Sequence, residues 1–277
     1  MSLRCLSTTA FKRQTAALLT IGDEVLCGKT LDTNSHHAAK LCFKHGLDLK
    51  FMATVPDCKE SIGHHVRECS QTYNYVFTSG GIGPTHDDIT YESIAAAFDI
   101  PLAFHQPTLD RMRRYFDNKK PPSALNEARK RMAFLPRVQA PLTEVLYHQD
   151  SNINFPLSWI PIVCVHNVYI FPGVPKLYEA LSEYIIGDVI APKLMQKALY
   201  QETIALKEME GDIAEFLSQL QQQYVSRVRI GSYPRFTPDQ DGTRIIITFQ
   251  GEDEDAVRSC SAALANSSFQ IVRRRRS

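Results

Sequence analysis

No stretch of the 277-residue sequence is apolar for the roughly 18 residues that a membrane-crossing helix needs. Charge of one sign is also lacking. The 31 Lys and Arg against 30 Asp and Glu leave a net charge of +1, which excludes a global field drawing the chain to nucleic acid or an acidic surface. Cys5, Cys27, Cys42, Cys58, Cys69, Cys164 and Cys260 are scattered, with no CxxC pair. That odd, dispersed set argues against a secreted disulfide framework and for a reducing compartment, with the thiols as small core hydrophobes. There is no HExxH and no internal repeat. The pairs His36–His37 and His64–His65 would point about 100° apart on a helix and chelate poorly. Cys42 and His45 have helical spacing but no third ligand, so zinc is not expected. What is present is ordinary for a globular protein: 44% hydrophobic and 22% charged residues.

The opening "MSLRCLSTTAFKRQ" carries Arg4, Lys12 and Arg13, four Ser or Thr and no acid, with Leu3, Leu6 and Phe11 as apolar points. This composition fits either a mitochondrial presequence or a short disordered tail. From Thr15 the pattern becomes strand, loop, helix, repeated. "TAALLTIG" is an unbroken apolar run, as in a strand covered on both faces. Residues 32–46 read as a helix that Asp32 or Asn34 caps and Gly46 ends. "LKFMATV", a helix over 58–73, "YVFTSG" and a helix from "DITYESIAAAFD" follow, which predicts a mostly parallel sheet with right-handed crossovers. Residues 104–160 break the rhythm with two basic helices, 106–118 and 123–136. "NVYIFPGVP" then resumes the sheet, ahead of a helix in "KLYEALSEYIIGD".

After residue 192 the order changes to β-α-β-β-α-β, the split βαβ of ferredoxin-like domains. The expectation is an α/β domain over 15–192 and a smaller ferredoxin-like α+β domain over 193–277. The closing "RRRR" reads as a solvated tail, with a nucleic-acid contact as the alternative.

Ligands of open parallel sheets sit beyond the carboxyl ends of the strands. Three such loops have unusual chemistry: "GDEVLCGKTLDTN", "SGGIGPTHDD" and "FPGVP". Gly80, Gly81 and Gly83 let backbone N–H groups turn towards an anion, and the following helix would add its positive end. Asp87 and Asp88 would repel a bare phosphate, so a hard cation such as Mg²⁺ is expected between acids and ligand. Asp88 as a plain helix cap is the competing reading. "GDEVLCGKT" resembles a P-loop, but five residues separate Gly22 from Gly28, and Asp23 and Glu24 stand where phosphates would lie. His86 is placed to touch a ligand.

The set "GGIGPTHDDIT", "GDEVLCGKTLDTN" and "FPGVP" resembles the molybdopterin-binding fold of molybdenum-cofactor biosynthesis proteins. Within it, the closer similarity is to the branch of CinA-like nucleotide pyrophosphatases and the N-terminal half of animal FAD synthases. The signature lies on Gly80, Gly81, Gly83, Asp88, Ile89 and Thr90, and "EGDIAEFLSQLQQQY" and "IGSYPRF" extend the similarity to about Val272. The resemblance implies a three-layer molybdopterin-binding-like domain, homo-oligomerisation and metal-dependent cleavage of FAD, ADP-ribose or a related dinucleotide to AMP. The sequence stops without a further adenylylating domain, so FAD synthesis is not expected of it. Molybdopterin adenylyltransfer and a non-catalytic pterin- or nucleotide-binding role are the alternatives. On this reading Asp23 and Asp88 are catalytic or metal carboxylates, with Glu24, Asp32 and Asp87 as further ligands to Mg²⁺, Mn²⁺ or Co²⁺. Gly22, Thr33, Asn34, Pro84, Thr85 and His86 would contact substrate, Gly173 and Pro175 would shape the far wall, and Lys29, Arg129 or Arg131 would neutralise charge.

Overall fold

The computed structural model describes residues 13–119, 123–139, 142–148, 158–194 and 199–276. Residues 1–12, which carry most of the presequence-or-tail reading, lie outside them. The chain divides into two compact units, 1–196 and 197–277.

Unit one is built on a six-stranded sheet in the order β2-β1-β3-β8-β7-β6. Its strands are β1 (Thr15–Ile21), β2 (Asp48–Val55), β3 (Tyr75–Ser79), β6 (Thr143–Leu146), β7 (Ile162–Val165) and β8 (Val168–Phe171). A separate two-stranded ribbon joins β4 (Leu102–Phe104) to β5 (Phe134–Pro136). The first four sheet strands are parallel, and β7 runs against both neighbours.

The unbroken apolar run of β1 is explained by two covering layers. Ala16 and Leu18 enter one core with Leu41 of helix α2 (Thr33–His45), Met112 of α5 (Gln106–Asn118) and Tyr178 of α7 (Pro175–Glu183). Ala17, Leu19 and Ile21 enter another with Ile62 of α3 (Lys59–Thr72) and Ile94 of α4 (Thr90–Ala97). Successive strand side chains point to opposite faces, so the alternation builds a three-layer α/β/α unit.

Between residues 104 and 160 the expectation needs correcting. Helix 106–118 forms as read, but 123–136 does not form as one helix. Asn126 takes the Arg129 N–H at 2.9 Å and so caps a short α6 (Glu127–Arg131). Beyond it, buried Ala133 and Leu135 flank exposed Phe134, a period of two that suits strand β5. Strands β6 and β7 were not anticipated. "NVYIFPGVP" is only partly strand, because β8 ends at Phe171 and Pro175 opens α7 at a position where a helix tolerates proline.

Unit two contains β9 (Tyr200–Leu206), α8 (Glu210–Gln223), β10 (Arg229–Pro234), β11 (Ile245–Gly251), α9 (Glu254–Ala265) and β12 (Ile271–Arg276), an antiparallel sheet ordered β10-β11-β9-β12. This is the expected ferredoxin-like pattern. The arginine run is not a tail. It lies in edge strand β12, where Arg274 bonds buried Glu202 at 2.6 Å and Arg273 approaches Asp241 at 3.0 Å.

Candidate functional site

The sheet brings the singled-out loops together. Thr20 of β1 lies in register with Ser79 of β3, and Ser79 with Phe171 of β8. Val55 of β2 faces Ile21, so a fourth loop reaches the same edge.

The glycine loop is fixed by close approach. Gly80 has φ +114° and Gly81 φ +65°, and a Cβ on Gly80 would lie 2.1 Å from the Ile21 carbonyl oxygen. Thr90 ties the loop to α4, donating its hydroxyl to the Gly80 carbonyl and its N–H to the Gly81 carbonyl, both at 3.0 Å. Of the three glycines expected to face an anion, two use their amides internally. Gly80 donates to Phe171 O at 3.1 Å, and Gly83 to Asp88 Oδ1 at 2.6 Å. Among the described residues, Gly81 and Ile82 donate their amide hydrogens to no protein acceptor, so these two are left to meet a ligand. Helix α4 begins only at Thr90, whose N–H is taken by the Gly81 carbonyl, and it carries no side-chain cap.

Asp88 is no helix cap, because α4 is preceded by Ile89. Its carboxylate closes the loop on itself, accepting from Gly83 N–H, from Thr85 N–H at 2.8 Å and from the Thr85 hydroxyl at 2.5 Å. A carboxylate has about four lone-pair directions, which leaves one open. Arg131 clamps the loop from outside through the Thr85 carbonyl at 3.0 Å. Pro84, His86 and Asp87 are exposed at the tip.

The first loop is not a P-loop. After Gly22 it folds into helix α1 (Asp23–Leu26), and Lys29 is exposed with its backbone N–H on Glu24 O at 2.9 Å. Asp23 donates its N–H to Asp57 Oδ2 at 2.9 Å. Partial burial lifts the Asp57 carboxyl above its usual range; the Asp23 N–H opposes this, and the charges of Asp23, Glu24 and Asp87 add to it. Asp57 was missed by sequence reasoning. Its signal was available, since it follows the carboxyl end of β2 as the glycine loop follows β3.

Other candidates make contacts within the chain or lie exposed at the surface. Asp32 caps α2 through Ser35 N–H at 2.9 Å and also takes the Thr20 hydroxyl at 2.9 Å, so its carboxylate is engaged in structure. Thr33 is exposed in the first turn. Asn34 is buried and sends its amide hydrogens to Ser79 Oγ at 2.9 Å and Gly173 O at 2.8 Å, bracing two loops rather than donating to a ligand. Arg129 is held over the Phe116 ring at 4.5 Å and bonds Ser123.

A cleft of about 600 Å³ opens at the loop, lined by Glu24, Gly81, Asp88, Tyr115, Trp159 and Leu177 among others. Gly173 borders it, while Pro175 is exposed at the start of α7. Among the described residues, no three His, Cys, Asp or Glu side chains form a group that could hold a metal ion alone. Mg²⁺ does not need one, because it binds through one or two carboxylates, water and substrate phosphates. The Asp23–Asp57 pair, crowded by like charge, has the donor chemistry for such a shared ion.

Comparison with known proteins gives the family. Residues 17–192 match the family described as "Probable molybdopterin binding domain", and residues 198–274 match "FAD synthase, middle domain". A probable FAD synthase of Caenorhabditis elegans is 35% identical over 254 residues, covering 89% of this chain and 49% of that protein, so the chain spans about half of that relative. A Pyrococcus abyssi protein is 30% identical over 249 residues, covering 87% of this chain and 92% of its own. The crystal structure of CinA from Thermoplasma acidophilum, a protein of unknown function, superimposes with TM-score 0.53 at 28% identity, over 64% of this chain and 99% of that one. The chain belongs to the molybdopterin-binding domain family, in the form that is followed by an FAD synthase middle domain.

Proposed function

We propose that the protein is a metal-dependent pyrophosphatase that hydrolyses FAD, ADP-ribose or a related dinucleotide to AMP and a second phosphate. The observation that carries this reading is the meeting of two unlike features at one sheet edge. The amides of Gly81 and Ile82 are free to receive a phosphate, while Asp23, Glu24, Asp57 and Asp87 crowd negative charge beside them. A site that only bound an anion would gain nothing from four carboxylates.

A divalent ion held by Asp23 and Asp57 would neutralise this crowding and polarise the phosphoryl oxygens. The chain's own groups do the rest. Gly81 and Ile82 hold one phosphate by their N–H groups and stabilise charge that grows on its oxygens. Asp88 keeps the loop in that conformation through Gly83 and Thr85. A carboxylate at this edge that such an ion leaves free would accept the proton of the attacking water. The phosphoanhydride bond then breaks, and AMP leaves with the second phosphate.

The test is AMP release from FAD and from ADP-ribose with Mg²⁺, Mn²⁺ or Co²⁺, each repeated with chelator. Release that needs the metal supports the reading. Consumption of ATP only when molybdopterin is supplied would assign the site to adenylyl transfer instead.

A further inference from the structure

The cleft has a second chemistry that phosphate cleavage does not use. In the lining of the same cleft as the glycine loop, Tyr115, Phe116 and Trp159 form a cluster of rings. Trp159 lies 6.1 Å from both of the others, and Tyr115 meets Phe116 edge-on at 5.1 Å. The cluster is rigid for identifiable reasons. Phe116 and Trp159 belong to the core, Arg129 covers Phe116, and Arg111 bonds the Ser158 carbonyl at 3.0 Å next to Trp159. Arg111 is itself stacked 4.0 Å from the Tyr147 ring.

Two polar atoms of the cleft lining are unsatisfied. Among the described residues, Trp159 Nε1 and the hydroxyl of Tyr91 on α4 are buried with no hydrogen-bond partner, and both residues line the cleft. Buried donors are nearly always paired, so two orphans on one cleft call for an acceptor from outside the chain. A bare phosphate would not meet an apolar ring cluster. A flat heteroaromatic ring would, offering a face to Tyr115 and edge nitrogens or carbonyls to the donors.

We infer that the Tyr115–Phe116–Trp159 wall is the specificity subsite, and that it takes the planar heteroaromatic ring of the ligand whose phosphate lies on Gly81 and Ile82. The ring is either the purine of the adenosine half or the isoalloxazine of the flavin half. This assignment rests on the dinucleotide reading above.

Trp159 is the single tryptophan of the sequence, so its emission reports on this wall alone. The full chain is titrated with AMP, flavin mononucleotide and ribose 5-phosphate, following emission and, by calorimetry, affinity. At least one of the two ring-bearing ligands should change the emission and bind about 10-fold or more tightly than ribose 5-phosphate, since stacking on an aromatic side chain contributes on that scale. AMP alone assigns the subsite to the purine, and the flavin alone to the isoalloxazine. Tyr115→Ala should remove the advantage while leaving inorganic pyrophosphate affinity unchanged, with its melting curve confirming the fold. Trp159→Phe should keep most of it and lose only the N–H contribution. Equal binding of all three ligands, or an advantage that survives Tyr115→Ala, overturns the assignment even if AMP is released from dinucleotides. A ring advantage in a protein that cleaves no dinucleotide upholds the subsite and overturns only the hydrolase reading.

Discussion

At Gly80 the chain passes so close to Ile21 that no side chain fits, and its φ of +114° excludes most residues independently. Gly80→Ala should therefore destabilise the first unit by about 3 kcal/mol in urea unfolding, since strain and clash act together. Asn34→Ala should cost about 2 kcal/mol, because it leaves the buried Ser79 hydroxyl and Gly173 carbonyl without their shared donor. Asp57 behaves in the opposite way. Its carboxyl is lifted in the folded state, so folding binds its proton more tightly than the unfolded chain does. Stability is then penalised above the folded value and recovers as pH falls through it. Asp57→Asn should raise the melting temperature at pH 7 by about 1 °C, a small gain because the group is largely solvated. The gain should fade towards pH 4, and AMP release should be lost. The glycine loop was legible in sequence because its glycines depart from what a plain turn needs. Asp57 could have been read from its place just after the carboxyl end of β2, but its contact with Asp23 depends on β2 lying beside β1, a neighbour relation that no local pattern records.

Single elements show what local pattern can and cannot resolve. Helix 106–118 was legible from its periodicity, and α2 from its Asp32 cap and Gly46 stop. Strands β6 and β7 were hidden because they are four residues each, too short for a periodic signal to separate strand from loop. The arginines of β12 were mistaken for a solvated tail beyond the last strand because arginine is rarely buried. The structure supplies the missing partner: Glu202, only 3% exposed, receives Arg274 and the Ser261 hydroxyl. Removing one member leaves an uncompensated buried charge. Arg274→Ala should therefore cost about 3 kcal/mol in thermal unfolding of the second unit, whereas Arg275→Ala, exposed on the same strand, should change stability by less than about 0.5 kcal/mol.

For the whole molecule, every residue of the cleft lining belongs to the first unit, and so does the Asp23–Asp57 pair at the same sheet edge. A chain ending at Gln196 should therefore retain metal-dependent AMP release within about threefold when it folds, checked by comparing kcat/KM with that of the full chain. The layered fold was readable from strand–helix alternation, because the alternation and the right-handed crossover leave few arrangements open. The chemistry at its edge is the central claim, and cleavage in heavy-oxygen water tests it most directly. The protein is incubated with FAD or ADP-ribose and a divalent metal, and the products are weighed by mass spectrometry. The account predicts AMP and a second phosphate with one solvent oxygen incorporated between them, dependent on metal and abolished by Asp23→Asn. Intact dinucleotide under every metal, or AMP formed without solvent oxygen, would contradict it.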